Sequence, residues 1–142
     1  MKSKAAKRTR IARVRRIQHD LVAADAAKAE NHASMLESSA ERLAALRNSL
    51  SANMGRANGA SLANPGELAM RLDDARQGLT AAISNARANA THQSQLRLEA
   101  RQRQESAAKL EARAADALAQ FIERNSFTSG RRKARTLAGD NA

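Results

Sequence analysis

A single break interrupts an otherwise helix-forming sequence at residues 53–66, which read NMGRANGASLANPG. Its three glycines permit backbone conformations outside the α-helix, and Pro65 can only begin a helix. Asn64 before this proline, with Glu67 soon after it, is typical of a helix start. Asn64 supplies a side-chain cap, and Glu67 puts an acid near the positive end of the helix. The sequence therefore predicts two helices joined by one loop.

The sequence after the break carries a regular apolar repeat. Two rows of seven-residue spacing contain thirteen apolar residues among their sixteen positions, and no proline interrupts them. A repeat of this length predicts a long coiled-coil helix. The first row is Leu68, Ala75, Ala82, Asn89, Leu96, Arg103, Leu110 and Ala117, and the second is Leu72, Leu79, Ala86, Gln93, Ala100, Ala107, Ala114 and Phe121.

The sequence before the break is also periodic, but less regularly. One seven-residue spacing holds as far as Met35 and another begins at Leu36, so the frame moves by one residue. Such a shift predicts a local change of supercoil rather than the end of the helix. The earlier row is Val14, Leu21, Lys28 and Met35, and the later row is Leu36, Leu43 and Leu50.

Two long amphipathic helices joined by a short loop pack antiparallel. We therefore expect an all-α fold, an antiparallel two-helix coiled-coil hairpin with basic, partly disordered ends. The hairpin would occupy 1–125, with a helix over about 5–53, a loop over about 54–65 and a helix over about 66–124. Residues 126–142, which contain two glycines, would form a basic flexible tail.

The antiparallel pairing places residues 1–16 against about 104–119. It also brings polar interruptions of the apolar rows to similar levels on the two helices. We interpret these as a polar layer that sets the register at a cost in stability. A ligand or metal site is the alternative, but carboxylates at suitable spacing are missing. The interruptions are Lys28, Asn31 and His32 on the first helix and Asn89, Gln93 and Arg103 on the second.

Charge is concentrated at the two ends of the chain. Residues 1–16 carry eight basic side chains and no acid, and residues 124–135 carry five basic side chains and no acid. Residues 17–123 are nearly neutral, with twelve basic and thirteen acidic residues. A hairpin would bring both basic ends to the same pole, which predicts an acidic partner.

Residue patterns that carry enzymatic chemistry are missing. The chain has no cysteine, which excludes a disulfide framework and fits a reducing cytoplasm, and its three histidines are isolated. No glycine-rich phosphate loop is present, and a thin two-helix fold offers no substrate pocket. No apolar run is long enough for a membrane span or a signal peptide. We expect no enzymatic activity, no cofactor, no metal and no small-molecule substrate.

The order of these parts resembles the flagellar export FliJ family, and more loosely the stalk proteins of type III secretion systems. The resemblance covers nearly the whole chain. It departs from the family in lacking aromatic residues near the loop and in having glycines in the tail. The parts that carry it, in chain order, are Arg13–Ile17, Leu43–Leu50, Asn53–Gly55, Leu68–Leu79, Lys109–Glu111 and Phe121–Arg124.

The resemblance implies a non-enzymatic cytoplasmic protein, peripherally associated with the inner-membrane export apparatus, that promotes flagellar protein export and flagellum assembly. A family member inserts one end into the hexameric export ATPase, contacts the cytoplasmic domain of the membrane export gate, and handles export chaperones. Carried over by position, Leu68 and Leu72 would contact the gate, although Leu72 also lies on an apolar row and could simply pack. The ATPase-facing residues would be Arg10, Arg13, Arg15, Arg16 and Arg124.

Two other function classes compete with this interpretation. A basic coiled coil that binds nucleic acid or has an architectural role fits the high isoelectric point. Against it, no aromatic residues alternate with the basic ones, and neither a helix-turn-helix nor a basic-zipper arrangement is present. A peripheral membrane protein is the second rival, with residues 1–17 as a basic amphipathic helix. Its apolar face would be small, consisting of Ile11, Val14 and Ile17.

Overall fold

The computed structural model describes residues 1–54 and 63–139, and the side chains of residues 1–53 and 64–128. In this part of the chain the fold consists of two helices, α1 from Lys2 to Met54 and α2 from Ala63 to Gly139, with no strand. The helices pack against each other, so the predicted all-α helical hairpin is confirmed. Both helices are rich in alanine, leucine, arginine and glutamate, which are strong helix formers.

The break falls where the sequence predicts it. α1 ends at Met54, and α2 begins at Ala63, slightly before the expected start at residue 66. Pro65 lies in the first turn of α2, where its missing N–H would have no partner within the helix in any case. The rest of the predicted loop, residues 55–62, lies outside the described residues.

The second helix is longer than predicted. We expected it to end near residue 124 and a flexible tail to follow, but α2 is helical through Gly139. The hydroxyls of Ser126 and Thr128 donate to carbonyls of the preceding turn, at 2.7 Å for Glu123 and 3.1 Å for Arg124. These hydroxyls therefore bond to the backbone of the helix, and the helix continues past them. Residues 131–138 are mostly strong helix formers, so the single residue Gly130 before them does not end the helix. Residues 140–142 lie outside the described residues.

The chain divides into two compact units, each containing a segment of both helices. One unit consists of residues Val22–Arg97 and is called the loop-proximal unit. The other consists of Met1–Leu21 with Leu98–Ala142 and is called the terminal unit. In the loop-proximal unit, Glu37 pairs with Arg87 and Arg47 pairs with Asp73. The residue numbers of the partners on α2 therefore decrease as those on α1 increase. The helices are therefore antiparallel there, as predicted.

Alanine occupies the buried positions of the helix contact. Among the described side chains, every residue that is buried is an alanine, and Ala33 is 0% exposed. Small side chains allow two helices to approach closely, while larger apolar residues fill the space beside them. In the loop-proximal unit the buried residues are Ala26, Ala29, Ala33, Ala69, Ala86 and Ala90; Leu36, Leu43, Leu50, Leu72, Leu79 and Ile83 are half-buried.

The predicted frame shift in α1 is wrong. Val14, Leu21, Lys28 and Met35 are exposed, and the helix contact follows two rows of unchanged seven-residue spacing. The prediction assigned the largest apolar residues to the contact, whereas the close approach of the helices selects alanine. One row is Ala5, Ala12, His19, Ala26, Ala33, Ala40 and Arg47, and the other is Arg15, Val22, Ala29, Leu36, Leu43 and Leu50; all are buried or half-buried.

One of the two rows predicted for α2 is confirmed. Leu72 to Ala114 of the second row are buried or half-buried, although its last member, Phe121, is exposed. The other row lies one residue later than predicted at most positions, so Asn89 and Arg103 are exposed. The residues on the shifted row are Ala69, Ile83, Ala90, Gln104, Glu111 and Leu118.

The terminal unit keeps the same packing with fewer buried residues. Ala12 of α1 and Ala107 of α2 are its buried side chains among those described. A groove is lined by Ile11 and Arg15 of α1 and by Gln102, Arg103, Ser106, Ala107 and Leu110 of α2. This contact agrees with the predicted pairing of residues 1–16 against about 104–119.

Candidate partner-binding surfaces

The basic side chains of residues 1–16 lie on the surface of α1 and are almost all unpaired. Arg10, Arg13 and Arg16 are exposed and form no hydrogen bond or ion pair with the described residues. Arg15 is half-buried and donates to the side chain of Gln18 at 3.0 Å, which leaves its charge uncompensated. We call the eight basic residues of this segment the N-terminal basic cluster. Its charge is available to an external anion.

The basic residues at the end of α2 belong to the same compact unit as this cluster. Arg124 is exposed, and its backbone carbonyl accepts a hydrogen bond from Thr128. The remaining four basic residues of residues 124–135 lie on the last turns of α2, where side chains are not described. Both basic segments predicted from the sequence are therefore part of the terminal unit.

The two leucines assigned to the gate contact differ in their surroundings. Leu68 is 48% exposed, and Met70 two residues later is also exposed. Leu72 is half-buried on the row that faces α1. The structure therefore leaves Leu68 accessible to a partner and gives Leu72 a packing role.

Across the helix contact of the loop-proximal unit, Arg87 of α2 binds two carboxylates of α1. Its Nε and Nη2 atoms donate to the two carboxylate oxygens of Glu37 at 2.6 and 2.5 Å, and Nη1 donates to Glu30 at 2.6 Å. The hydrogen bonds from Arg87 hold the pKa of Glu37 below its ordinary value, and those to Glu37 and Glu30 raise the pKa of Arg87. Planar, bidentate pairing of this kind restricts geometry as well as adding energy.

The sequence predicts a polar layer within the contact, whereas the structure has this charged cluster beside the contact. The predicted layer residues Lys28, Asn31, His32 and Asn89 are all exposed, so that prediction is wrong, although Gln93 does lie in the contact. The three charged groups of this cluster lie at the edge of the contact, where they keep part of their hydration. Sequence reasoning missed Glu30 and Glu37, whose seven-residue spacing places them on one face of α1.

A second ion pair crosses the helix contact nearer the loop. Arg47 donates to Asp73 at 3.1 Å and to the hydroxyl of Ser51 at 2.6 Å. Asp73 also lies 4.0 Å from Arg76 on its own helix. Surface pairs of this kind each contribute about 0.2–1 kcal/mol.

The described residues form neither a metal-binding cluster of histidine and acidic side chains nor a helix that is apolar over enough length to cross a membrane. His19 is half-buried and lies 3.2 Å from Asp20, while His32 and His92 are exposed. The exposed charge and the exposed apolar residues are thus the features of the surface with which a partner could interact.

Comparison with protein-family models, with curated proteins and with solved structures gave no match.

Proposed function

We propose that this chain is a non-enzymatic component of the flagellar type III protein export apparatus. In this proposal it is a stalk-like coiled coil that engages the hexameric export ATPase through its basic end. The observation that carries the proposal is the N-terminal basic cluster, which is exposed apart from half-buried Arg15 and forms no ion pair with the described residues. This cluster shares a compact unit with the C-terminal part of α2. The helical hairpin and the resemblance of the sequence to the FliJ family support it.

The electrostatics of the cluster suit an acidic binding site. Eight like charges within sixteen residues lie largely within one Debye length of their neighbours, which is about 8–10 Å at moderate salt. No carboxylate among the described residues pairs with them, so an acid-lined pore would attract this end of the protein over a distance. Such binding is fast and sensitive to salt.

The remaining contacts of the proposal lie on the helices. Leu68, exposed at the start of α2, is the candidate contact to the cytoplasmic domain of the export gate, and export chaperones bind elsewhere along the helices. The protein would act in the cytoplasm, at the inner-membrane export apparatus, and promote flagellum assembly. It would need no cofactor.

The decisive experiment measures ATP hydrolysis by the cognate export ATPase with and without this protein, at low and moderate salt. We expect salt-sensitive stimulation that is lost when Arg13, Arg15 and Arg16 are all changed to Glu. Arg42, Arg97 and Arg113 provide a control with the same change of charge, because they are exposed, form no ion pair with the described residues and lie outside the cluster. Reversing these three changes the net charge equally and should leave stimulation intact. Equal loss in both variants, or no stimulation at all, would overturn the proposal.

The same cluster favours one second candidate, binding to duplex DNA through its phosphates. The affinity of such binding falls steeply with salt in proportion to the number of phosphates that are neutralised. Tight duplex binding at moderate salt, lost in the cluster variant and combined with no effect on the ATPase, would favour this candidate.

A further inference from the structure

A groove runs along the terminal unit between the two helices. Its walls include Ile11 and Arg15 of α1 and Arg103 and Leu110 of α2, and buried Ala107 lies at its base. A second, smaller depression on α1 shares Ile11 and Arg15 with it and extends to Val14. The two form one continuous surface, which we call the terminal groove.

The terminal groove contains large apolar side chains that are not part of the contact between the helices. Val14 is 51% exposed, and Ile11 and Leu110 are exposed as well. Because alanine forms the helix contact, these larger side chains are left outside it. Single exposed apolar residues are common on protein surfaces, but a contiguous group on two helices is typical of an interaction site.

The charge around the groove has one sign. Among the residues that the structure describes, Arg10, Arg15 and Arg103 line it and no carboxylate does. Arg103 lies 3.5 Å from Glu99 on its own helix, whereas Arg10 has no partner among the described residues. A groove in the loop-proximal unit, in contrast, is lined by Glu41 and Asp73 together with Arg76 and thus by both signs of charge.

The charge decides between the possible occupants. A second copy of this chain would bring the same basic cluster to the groove, where like charges repel. An acidic occupant would be attracted instead. The apolar side chains of each wall are three residues apart, namely Ile11 and Val14 on α1 and Ala107 and Leu110 on α2. Two such walls suit a helix laid along them, since that is how grooves between helices bind amphipathic helices.

We propose that the terminal groove binds an amphipathic α-helix of a partner protein whose apolar face is flanked by aspartate and glutamate. Its apolar side chains contact Ile11, Val14 and Leu110, and its acids pair with Arg10, Arg15 and Arg103. This inference goes beyond the export role and does not depend on it, because it concerns a helical ligand of any origin.

The test uses the full chain and a synthetic peptide of about 20 residues, roughly 30 Å long when helical. The peptide carries leucine at helical spacing and glutamate on both flanks. Two reference peptides have the same composition in scrambled order, or lysine in place of glutamate. Binding is measured by calorimetry at about 50 mM and about 500 mM salt. We expect saturable binding of the acidic amphipathic peptide in equimolar ratio, weaker at high salt, and little binding of either reference.

Variants locate the binding surface. Changing Val14 and Leu110 together to Ser should weaken binding by at least about tenfold, because the apolar contact is lost. Changing Ile17 and Leu98 to Ser is the matched control, since these side chains are exposed in the same unit but do not line the groove. Both variants should keep the helicity of the original protein.

Three results would overturn the inference. Equal binding of the scrambled peptide would show that the interaction depends on net charge and not on an amphipathic helix. Equal weakening by the two variant pairs would place the site elsewhere. Absence of peptide binding, together with binding to vesicles of anionic phospholipid that Val14→Ser and Leu110→Ser abolish, would identify the surface as a membrane contact. Arg15 belongs to both surfaces, so the two tests are kept apart by their variants. The groove test changes only the apolar residues Val14 and Leu110, whereas the ATPase test reverses the charge of Arg13, Arg15 and Arg16.

Discussion

The guanidinium of Arg87 holds both oxygens of the Glu37 carboxylate, through hydrogen bonds of 2.6 and 2.5 Å that join α2 to α1. Glu30, one heptad earlier on α1, receives a third bond from the same side chain. An antiparallel pair of alanine-rich helices can slide with little change in apolar contact, because successive alanines are alike. A bidentate pair does not tolerate such a shift, so this cluster selects one register.

We therefore expect Arg87→Gln to lower the melting temperature more than loss of an ordinary surface ion pair. Arg101, which pairs with Glu105 within α2 at 2.9 Å, is the matched control, and such pairs contribute about 0.3–0.5 kcal/mol. A double-mutant cycle of Arg87 with Glu37 should give a larger coupling free energy than one of Arg101 with Glu105. Equal coupling in the two cycles would show that Arg87 does not set the register.

The same cluster predicts a dependence of stability on pH. Arg87 lowers the pKa of Glu37 below the ordinary 4.5, chiefly by hydrogen bonding. A carboxylate with a lower pKa in the folded state contributes stability that is fully present above its unfolded pKa and is lost as pH falls through its folded pKa. Melting temperatures between about pH 5 and about pH 3 should therefore fall more steeply for the original protein than for Arg87→Gln. Parallel pH profiles would contradict this.

Enlarging a buried alanine should separate the helices. Ala33 is fully buried, and Ala33→Leu places three extra carbon atoms in a contact that has no room for them, which typically costs about 1–3 kcal/mol. Ala27→Leu, at an exposed position of the same helix, should change stability by no more than about 0.5 kcal/mol. Chemical denaturation of both variants measures the difference, and similar stability would place Ala33 outside the contact.

One glycine in α2 offers a stabilising change. Gly78 lies inside the helix and is exposed, and a Cβ atom added there would meet no atom within 4 Å. Gly78→Ala should raise the free energy of unfolding by about 0.5–1 kcal/mol, because alanine loses less backbone entropy in a helix. Gly66→Ala in the first turn of α2, where the helix is less regular, should gain less. A destabilised Gly78→Ala variant would indicate a contact that the helix pair alone does not contain.

Substitutions of Leu68 and Leu72 distinguish partner binding from helix packing. Leu68→Ala should leave the melting temperature nearly unchanged but weaken binding to the cytoplasmic domain of the export gate. Leu72 is half-buried, so Leu72→Ala should cost about 1–2 kcal/mol, less than the ~2–5 kcal/mol of a fully buried leucine. Normal binding of Leu68→Ala to the gate domain would contradict the proposed gate contact.

The sequence predicts the presence of the two helices much better than which face of each helix lies in the contact. The glycine-rich stretch before Pro65 located the break, and the level of pairing between residues 1–16 and the second helix agrees with the groove lined by Ile11 and Leu110. The later predicted row of α1, from Leu36 to Leu50, does lie in the contact. The earlier row was wrong, because Val14, Leu21 and Met35 have the seven-residue spacing of a contact row but are exposed. Alanine carries the same spacing with a weaker hydrophobic signal, and helix propensity alone explains its abundance equally well.

By itself, the sequence determined that this protein consists of two helices, one break and strongly basic ends. These depend on backbone preference and on the order of charges, which are local properties of the chain. The tertiary structure decided which residues meet: that alanine forms the contact, that Arg87 joins Glu30 and Glu37, and that Ile11, Val14 and Leu110 remain on the surface. Those outcomes depend on the distance and register between two helices, and both arise only when the side chains of the two segments pack together.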